Sequence, residues 1–312
     1  MALFARKMRF SVLRSLALCA VAFTLLTGSS AAFSFTTIDV PGANYTEVRG
    51  INRRGQIVGS YGSPEGTGFQ GFLLDQGTFT TIDFPGAIDT ALIDITGSGK
   101  ILGQYTAVRT HGIPLKRRVF TLPWLLSPRG VVTAHGFLLH RSVFTPIDVP
   151  GAPETAPYDI SRRGQIVGEY EAIINGLRHG FLLNGGMFTT IDVPGAPDTM
   201  AMGLNSSGQI VGWYHDGTTW HGFVRAPDGT FTAIDFPGAV NTFANSINGR
   251  GQIAGSYDTS SGTHGFLLDQ GIFTTIDVPG AANTFVWKIK GRRIVGAYMD
   301  TNGLTHGFLA TP

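Results

Sequence analysis

His264–Ala281 reads HGFLLDQGIFTTIDVPGA, two apolar runs joined by Asp269-Gln270-Gly271. Runs of Phe, Ile, Leu and Thr on either side of such a turn are the signature of a β-hairpin. The second half of this stretch recurs, with small changes, starting at Phe35, Phe79, Phe144, Phe188, Phe231 and Phe273. Its aspartates, Asp39, Asp83, Asp148, Asp192, Asp235 and Asp277, are spaced 44, 65, 44, 43 and 42 residues apart. Each copy continues through a Thr, a GQIVGSY-like run and HGFLL, with Pro-Gly and Asn-Arg-Arg-Gly type turns between them. Four strands in roughly 44 residues is the size of a propeller blade. The two halves of the hairpin also stand at opposite ends of the chain, FTTIDV from Phe35 and HGFL from His306. The expected fold is therefore all-β: a six-bladed β-propeller of four-stranded repeats, closed by pairing of the N-terminal strand with the C-terminal blade. That closure removes the free sheet edges of an open array.

Composition agrees: the 312 residues include 43 Gly and 16 Pro, and only 14% are charged. Such a turn-dense, weakly charged chain suits short strands. Residues 1–32 differ, with Arg6, Lys7, Arg9 and Arg14 ahead of an apolar stretch from Leu16 to Leu26 and small residues at Ser30-Ala31-Ala32. This is the pattern of a secretory signal peptide. Its apolar core is too short for the roughly 20 residues that span a bilayer, so no membrane span is expected after cleavage. Residues 33–312 form one expected domain, interrupted at about 107–133, in an exported protein that is extracellular or periplasmic. Cys19, the single cysteine, falls in the leader, which rules out disulfides and thiolate chemistry in the mature chain. Nineteen Lys and Arg then face twenty-one Asp and Glu, so charge gives no argument for nucleic acid.

Residues repeated in every copy are first candidates for building the blade. The recurring Phe and Tyr read as packing between blades. His135, His179, His221, His264 and His306 precede Gly-Phe, and Gln70 replaces them in the first unit. Gln is a poor metal ligand but shares the donor and acceptor capacity of imidazole, which favours a structural bond within each blade over a metal ring. The six repeated aspartates are read as caps of their own Pro-Gly turns. No metal site, cofactor motif, nucleophile elbow or nucleotide loop is present in the pattern.

The pattern Ile51-Asn52-x-x-Gly55-Gln56-Ile57-Val58-Gly59, followed by His-Gly-Phe-Leu, resembles the repeats of the extracellular HAF-repeat family of bacteria. The resemblance covers nearly all of the mature chain, with Gly in place of the Ala of His-Ala-Phe and an FTTIDVPGA linker that marks a subgroup. It implies a repeat fold and export, and no particular reaction or ligand.

Function is sought where the copies differ. The connection from Tyr105 to His135 is the longest of its kind and carries Arg109, His111, Lys116, Arg117, Arg118 and Trp124. It reads either as a tolerated surface insertion or as a basic, aromatic flap that docks an anionic or carbohydrate partner. The residues ahead of each innermost strand, among them Asp89, Glu154 and Asp198, are expected around the channel mouth on the same face. Trp213, His215, Asp216 and Trp220 make a second asymmetry there. Such a rim suits a binding or interaction module for a glycan or a cell-surface protein. The alternatives are a carbohydrate-active hydrolase or lyase, with Asp89, Glu154 and Asp198 as acids, and a purely structural surface or matrix protein.

Overall fold

The computed structural model describes residues 33–62, 68–108, 132–172 and 176–312. The leader and the candidate flap residues Arg109, His111, Lys116, Arg117, Arg118 and Trp124 lie outside them. Twenty-four described strands run from β1 (Ser34–Ile38) to β24 (Thr305–Thr311) and form six four-stranded antiparallel sheets. Five sheets are contiguous in sequence; the first comprises β2 (Thr46–Ile51), β3 (Ile57–Gly62), β4 (Phe69–Asp75) and β5 (Thr78–Thr81). The sixth joins β22 (Asn283–Lys290), β23 (Arg293–Met299) and β24 to β1, with Ser34 opposite Thr311 and Ile38 opposite Gly307. The molecule is thus a six-bladed β-propeller closed by its N-terminal strand. Strands are termed a to d from the channel outward.

The repeated residues explain one another. Phe72, Phe137, Phe181, Phe223, Phe266 and Phe308 on strand c are fully buried and form the centre of the packing between blades; Phe72, for example, shares a cluster with Val295 of the sixth blade. Truncating one such ring to Ala typically costs about 3–5 kcal/mol. The repeated Thr at the start of strand a accepts a hydrogen bond from the residue after the repeated Asp, as in Val40 N to Thr46 Oγ1 at 3.1 Å. The aspartates do not cap their own turns. Each reaches across the c–d hairpin to the repeated His, with Nδ1 of His135, His179, His221, His264 and His306 at 2.8–3.0 Å from a carboxylate oxygen. Gln70 Nε2 makes the equivalent bond to Asp83 at 3.1 Å. Closure itself uses this pair, because His306 and Asp39 belong to β24 and the end of β1. The glycine before each Tyr is also fixed by packing: a Cβ on Gly255 would sit 1.9 Å from the Phe243 carbonyl oxygen.

Strand a breaks register in all six blades, between Val48 and Gly50 and at the equivalent places. A bulge leaves one residue unpaired and re-aims its side chain. The bulged residues are Arg49, Ile93, Tyr158, Met202, Asn245 and Trp287, all different. One position later, side chains bridge neighbouring blades: Asp94 Oδ2 accepts from Ile160 N at 3.4 Å, Asp159 Oδ2 from Leu204 N at 2.9 Å and Ser246 Oγ from Ile289 N at 3.3 Å. At the same level Lys288 Nζ meets Asp94 at 3.0 Å and Asp159 at 2.5 Å, with all three side chains buried. Burial raises the Asp94 carboxyl to about 6. Burial also opposes ionisation of Asp159, but the Lys288 ammonium outweighs it and holds that carboxyl low, near 2. The triad forms the waist of the channel.

Removing one partner of a buried ion pair strands the other charges in a low-dielectric site. Lys288→Met is therefore expected to lower stability by about 3–5 kcal/mol, and Asp94→Asn by clearly less. Equal urea midpoints for the two variants would contradict the role given to the ammonium.

Candidate functional site

On the side of the waist where strands b and c are joined, the channel opens into a cavity of about 550 Å³. Its wall comes from the variable positions of strand a, the second and fourth residues counted from the repeated Thr, and from the variable residue between Gly and Tyr of strand b. Met200, Met202, Trp213, Phe285 and Trp287 supply an apolar and aromatic lining. The Trp213 indole stands edge-on to Trp220 at 4.9 Å and to Phe243 at 5.3 Å.

Two ion pairs are set into this wall. Arg49 Nε lies 3.1 Å from Glu47, with both side chains buried, and its guanidinium rests 4.0 Å from the centre of the Trp287 ring. The Tyr45 hydroxyl donates to the same Glu47 carboxylate at 3.1 Å. In the third blade, Glu169 accepts from Arg178 and from the Tyr158 hydroxyl at 2.8 Å. Each cation is matched by a carboxylate, so these four groups leave no excess charge.

Glu154 and Glu171 add two further carboxyl groups to the lining. They are neighbours across the first two strands of the third blade, where Glu171 N donates to Glu154 O at 3.2 Å. Burial, together with the nearby Glu171 charge and against the pull of Arg178, raises the Glu154 carboxyl to about 7. The cavity therefore holds a carboxyl that keeps its proton up to near neutral pH, in an apolar surround. Three buried polar atoms of its wall, Glu169 Oε2, Trp213 Nε1 and Trp287 Nε1, have no hydrogen-bond partner among the described residues. Buried polar atoms are ordinarily satisfied, so these three set the wall apart from the rest of the interior.

The structure brings Glu154 and Trp213, of the residues expected at the rim, into one cavity. Asp89 accepts from Phe69 N at 2.9 Å and from the Thr106 hydroxyl at 2.8 Å, and Asp198 accepts from Arg178 N at 2.9 Å. Both tie their blade to the one before it, as Asn241 and Asn283 do at the same repeat position. Trp220 is buried against Trp213, and the His215 ring lies tilted 4.7 Å from it. Asp216 is exposed and closes its own turn, accepting from the Thr218 hydroxyl at 2.7 Å, Thr219 N at 2.9 Å and Thr218 N at 2.7 Å, bonds that hold its carboxyl low. Glu47, Arg49, Tyr158, Glu169 and Arg178 were not among the expected residues. Their signal in the sequence is the variability of single positions inside otherwise repeated strands.

No family model and no curated protein matches the chain. Many solved structures do. TolB from Acinetobacter baumannii is 15% identical over 82% of this chain, which spans 63% of TolB, with a TM-score of 0.54. A protein of unknown function from Dyadobacter fermentans is 13% identical, covers 87% of this chain and 100% of its own, and has a TM-score of 0.53. A catalytically inactive virginiamycin B lyase from Staphylococcus aureus with quinupristin is 13% identical over 90% of this chain and 100% of its own, with a TM-score of 0.50. At such identities the likeness shows the propeller fold alone.

An unfolded Glu ionises near 4.5 and folded Glu154 near 7, so between these values the folded chain holds a proton that the unfolded chain has lost. Stability is then present at low pH and falls as pH rises through this window. Glu154→Gln is expected to flatten that part of a thermal-midpoint titration, and a titration unchanged by the substitution would contradict the raised carboxyl.

Proposed function

We propose that the protein is an exported binding module whose ligand is a small organic cation, a protonated amine carried on an apolar body, held in the channel-mouth cavity. The carrying observation is the half-buried Glu154 carboxyl, set beside the Arg178–Glu169 pair within an aromatic and methionine wall. An ammonium group gains from carboxylates and from the faces of Trp and Tyr rings, while Met side chains adapt to an irregular apolar body. The cavity has the size of a small-molecule site. Its unpartnered Glu169 oxygen adds an acceptor for the amine.

Export rests on the basic and apolar pattern of residues 1–32, and the HAF-like repeat is in keeping with it. No described helix is long and apolar enough to cross a membrane. The carbohydrate-active reading loses ground because Asp89 and Asp198 are committed to backbone bonds between blades.

Isothermal titration with an arylalkylamine and with its neutral alcohol analogue tests the reading. The amine is expected to bind with release of a proton near pH 7, because its charge favours ionised Glu154. Glu154→Gln is expected to weaken it by about tenfold or more, the scale set by losing a charged hydrogen-bond partner. Equal affinity for amine and alcohol would overturn the assignment.

A further inference from the structure

Among the described residues, charge is sorted between the two faces of the ring. Of the fourteen Lys and Arg among the described residues, eleven lie at or beside the a–b and c–d turns, which share one face. Fifteen of the twenty described acids lie toward the opposite face, and Asp94, Asp159 and Lys288 form the waist between. The turn face keeps three acids, and each has a local partner: Asp75 takes a bond from Gln56 at 2.8 Å, Asp269 from Gln252 at 2.7 Å and Asp228 from Thr230 N at 2.9 Å. Arg53, Arg54, Arg162, Arg163 and Arg250 are exposed, and no ion pair within the described residues engages them. Arg53, Arg162, Arg163 and Lys290, with Asn205 and Asn248, surround a polar recess of about 200 Å³ at this end of the channel.

The same face presents apolar side chains. Met187, Val143 and Ile272, exposed by 73%, 63% and 55%, each begin a strand d directly after a c–d turn. They come from three different blades and so ring the basic centre. The turn that leads to Val143 holds Arg141 and Ser142 at φ of 50° and 65°; Gln76 and Gln270 take the first of these positions at φ 49° in two other c–d turns, where glycine takes the second without cost. The chain keeps Arg and Ser there against their conformational preference.

We propose that this face docks onto an anionic lipid bilayer, the arginines meeting phosphate headgroups and the three outer apolar side chains entering the headgroup boundary. A basic surface attracts anionic lipids over about a Debye length, and apolar groups beside it convert attraction into seating. A soluble polyanion would use the arginines alone, and would give no reason for Met187 and Ile272 to stand exposed among them. Seated in this way, the acidic cavity opens away from the membrane.

The chain from Phe33 onward contains every strand of the ring and is the form to test by vesicle flotation. It is expected to float with phosphatidylcholine vesicles that contain phosphatidylglycerol, to stay behind with phosphatidylcholine alone, and to be released by salt. Arg162→Ser with Arg163→Ser is expected to weaken flotation by about tenfold and to flatten its salt dependence. Met187→Ser with Ile272→Ser is expected to weaken it with the salt dependence retained. Flotation that is absent, that is equal on neutral vesicles, or that survives both double variants would overturn the proposal. Heparin binding matched to flotation and untouched by Met187→Ser with Ile272→Ser would overturn it in favour of a polyanion surface. Circular dichroism separates a misfolded variant from a non-binding one.

Discussion

Six strands that converge on one axis have no further strand to pair with, so their inner backbone groups must be met by something else. Here side chains of the next blade meet them. Asp94, Asp159 and Ser246 accept from amides of the following inner strand, and Asn52, Asn205 and Asn248 donate to carbonyls one blade on. The bulge in each inner strand makes these bridges reachable, and it also turns Arg49, Tyr158, Met202 and Trp287 into the cavity. Satisfying the inner edge and furnishing the cavity are consequences of one distortion. The buried charge at the waist follows as well, since Asp94 and Asp159 bridge blades and the Lys288 ammonium sits between their carboxyl groups.

The fold was legible because its repeat is written in alternating apolar residues and fixed turn residues, and because the split hairpin declares closure. The partnership of the repeated Asp and His was not legible, although each was singled out. Four of the pairs stand 13 or 14 residues apart, as His264 and Asp277 do, the fifth joins the two ends of the chain, and only the pairing register brings them together. A turn cap looked sufficient for an Asp beside Pro-Gly because that local bond needs no knowledge of the neighbouring strand.

The site was legible in part. Attention to connections found Glu154, which lies just ahead of its inner strand, and Trp213, which stands in a strand but differs conspicuously from its counterparts. Glu47, Arg49 and Glu169 escaped because a charged residue inside a strand looks like a solvated position until the strand is known to line a channel. Asp89 and Asp198 look like rim acids in the sequence, yet a short carboxylate at that position reaches the amide of the preceding blade. Glu154 is longer by one methylene, and its carboxyl lines the cavity instead. Variation within a symmetric scaffold thus has two meanings, one for building and one for chemistry, and side-chain length separates them here.

Closure by β1 has a consequence in time. Ser34 pairs with Thr311, at the far end of the described chain, so the last blade lacks its outer strand until synthesis reaches the final repeat. Four of the five internal blades close over short connections as they emerge, while β1 waits, a strand without a sheet. A nascent chain therefore stays an open arc, and the channel with its cavity comes into being in a single late event that joins the first strand to the last.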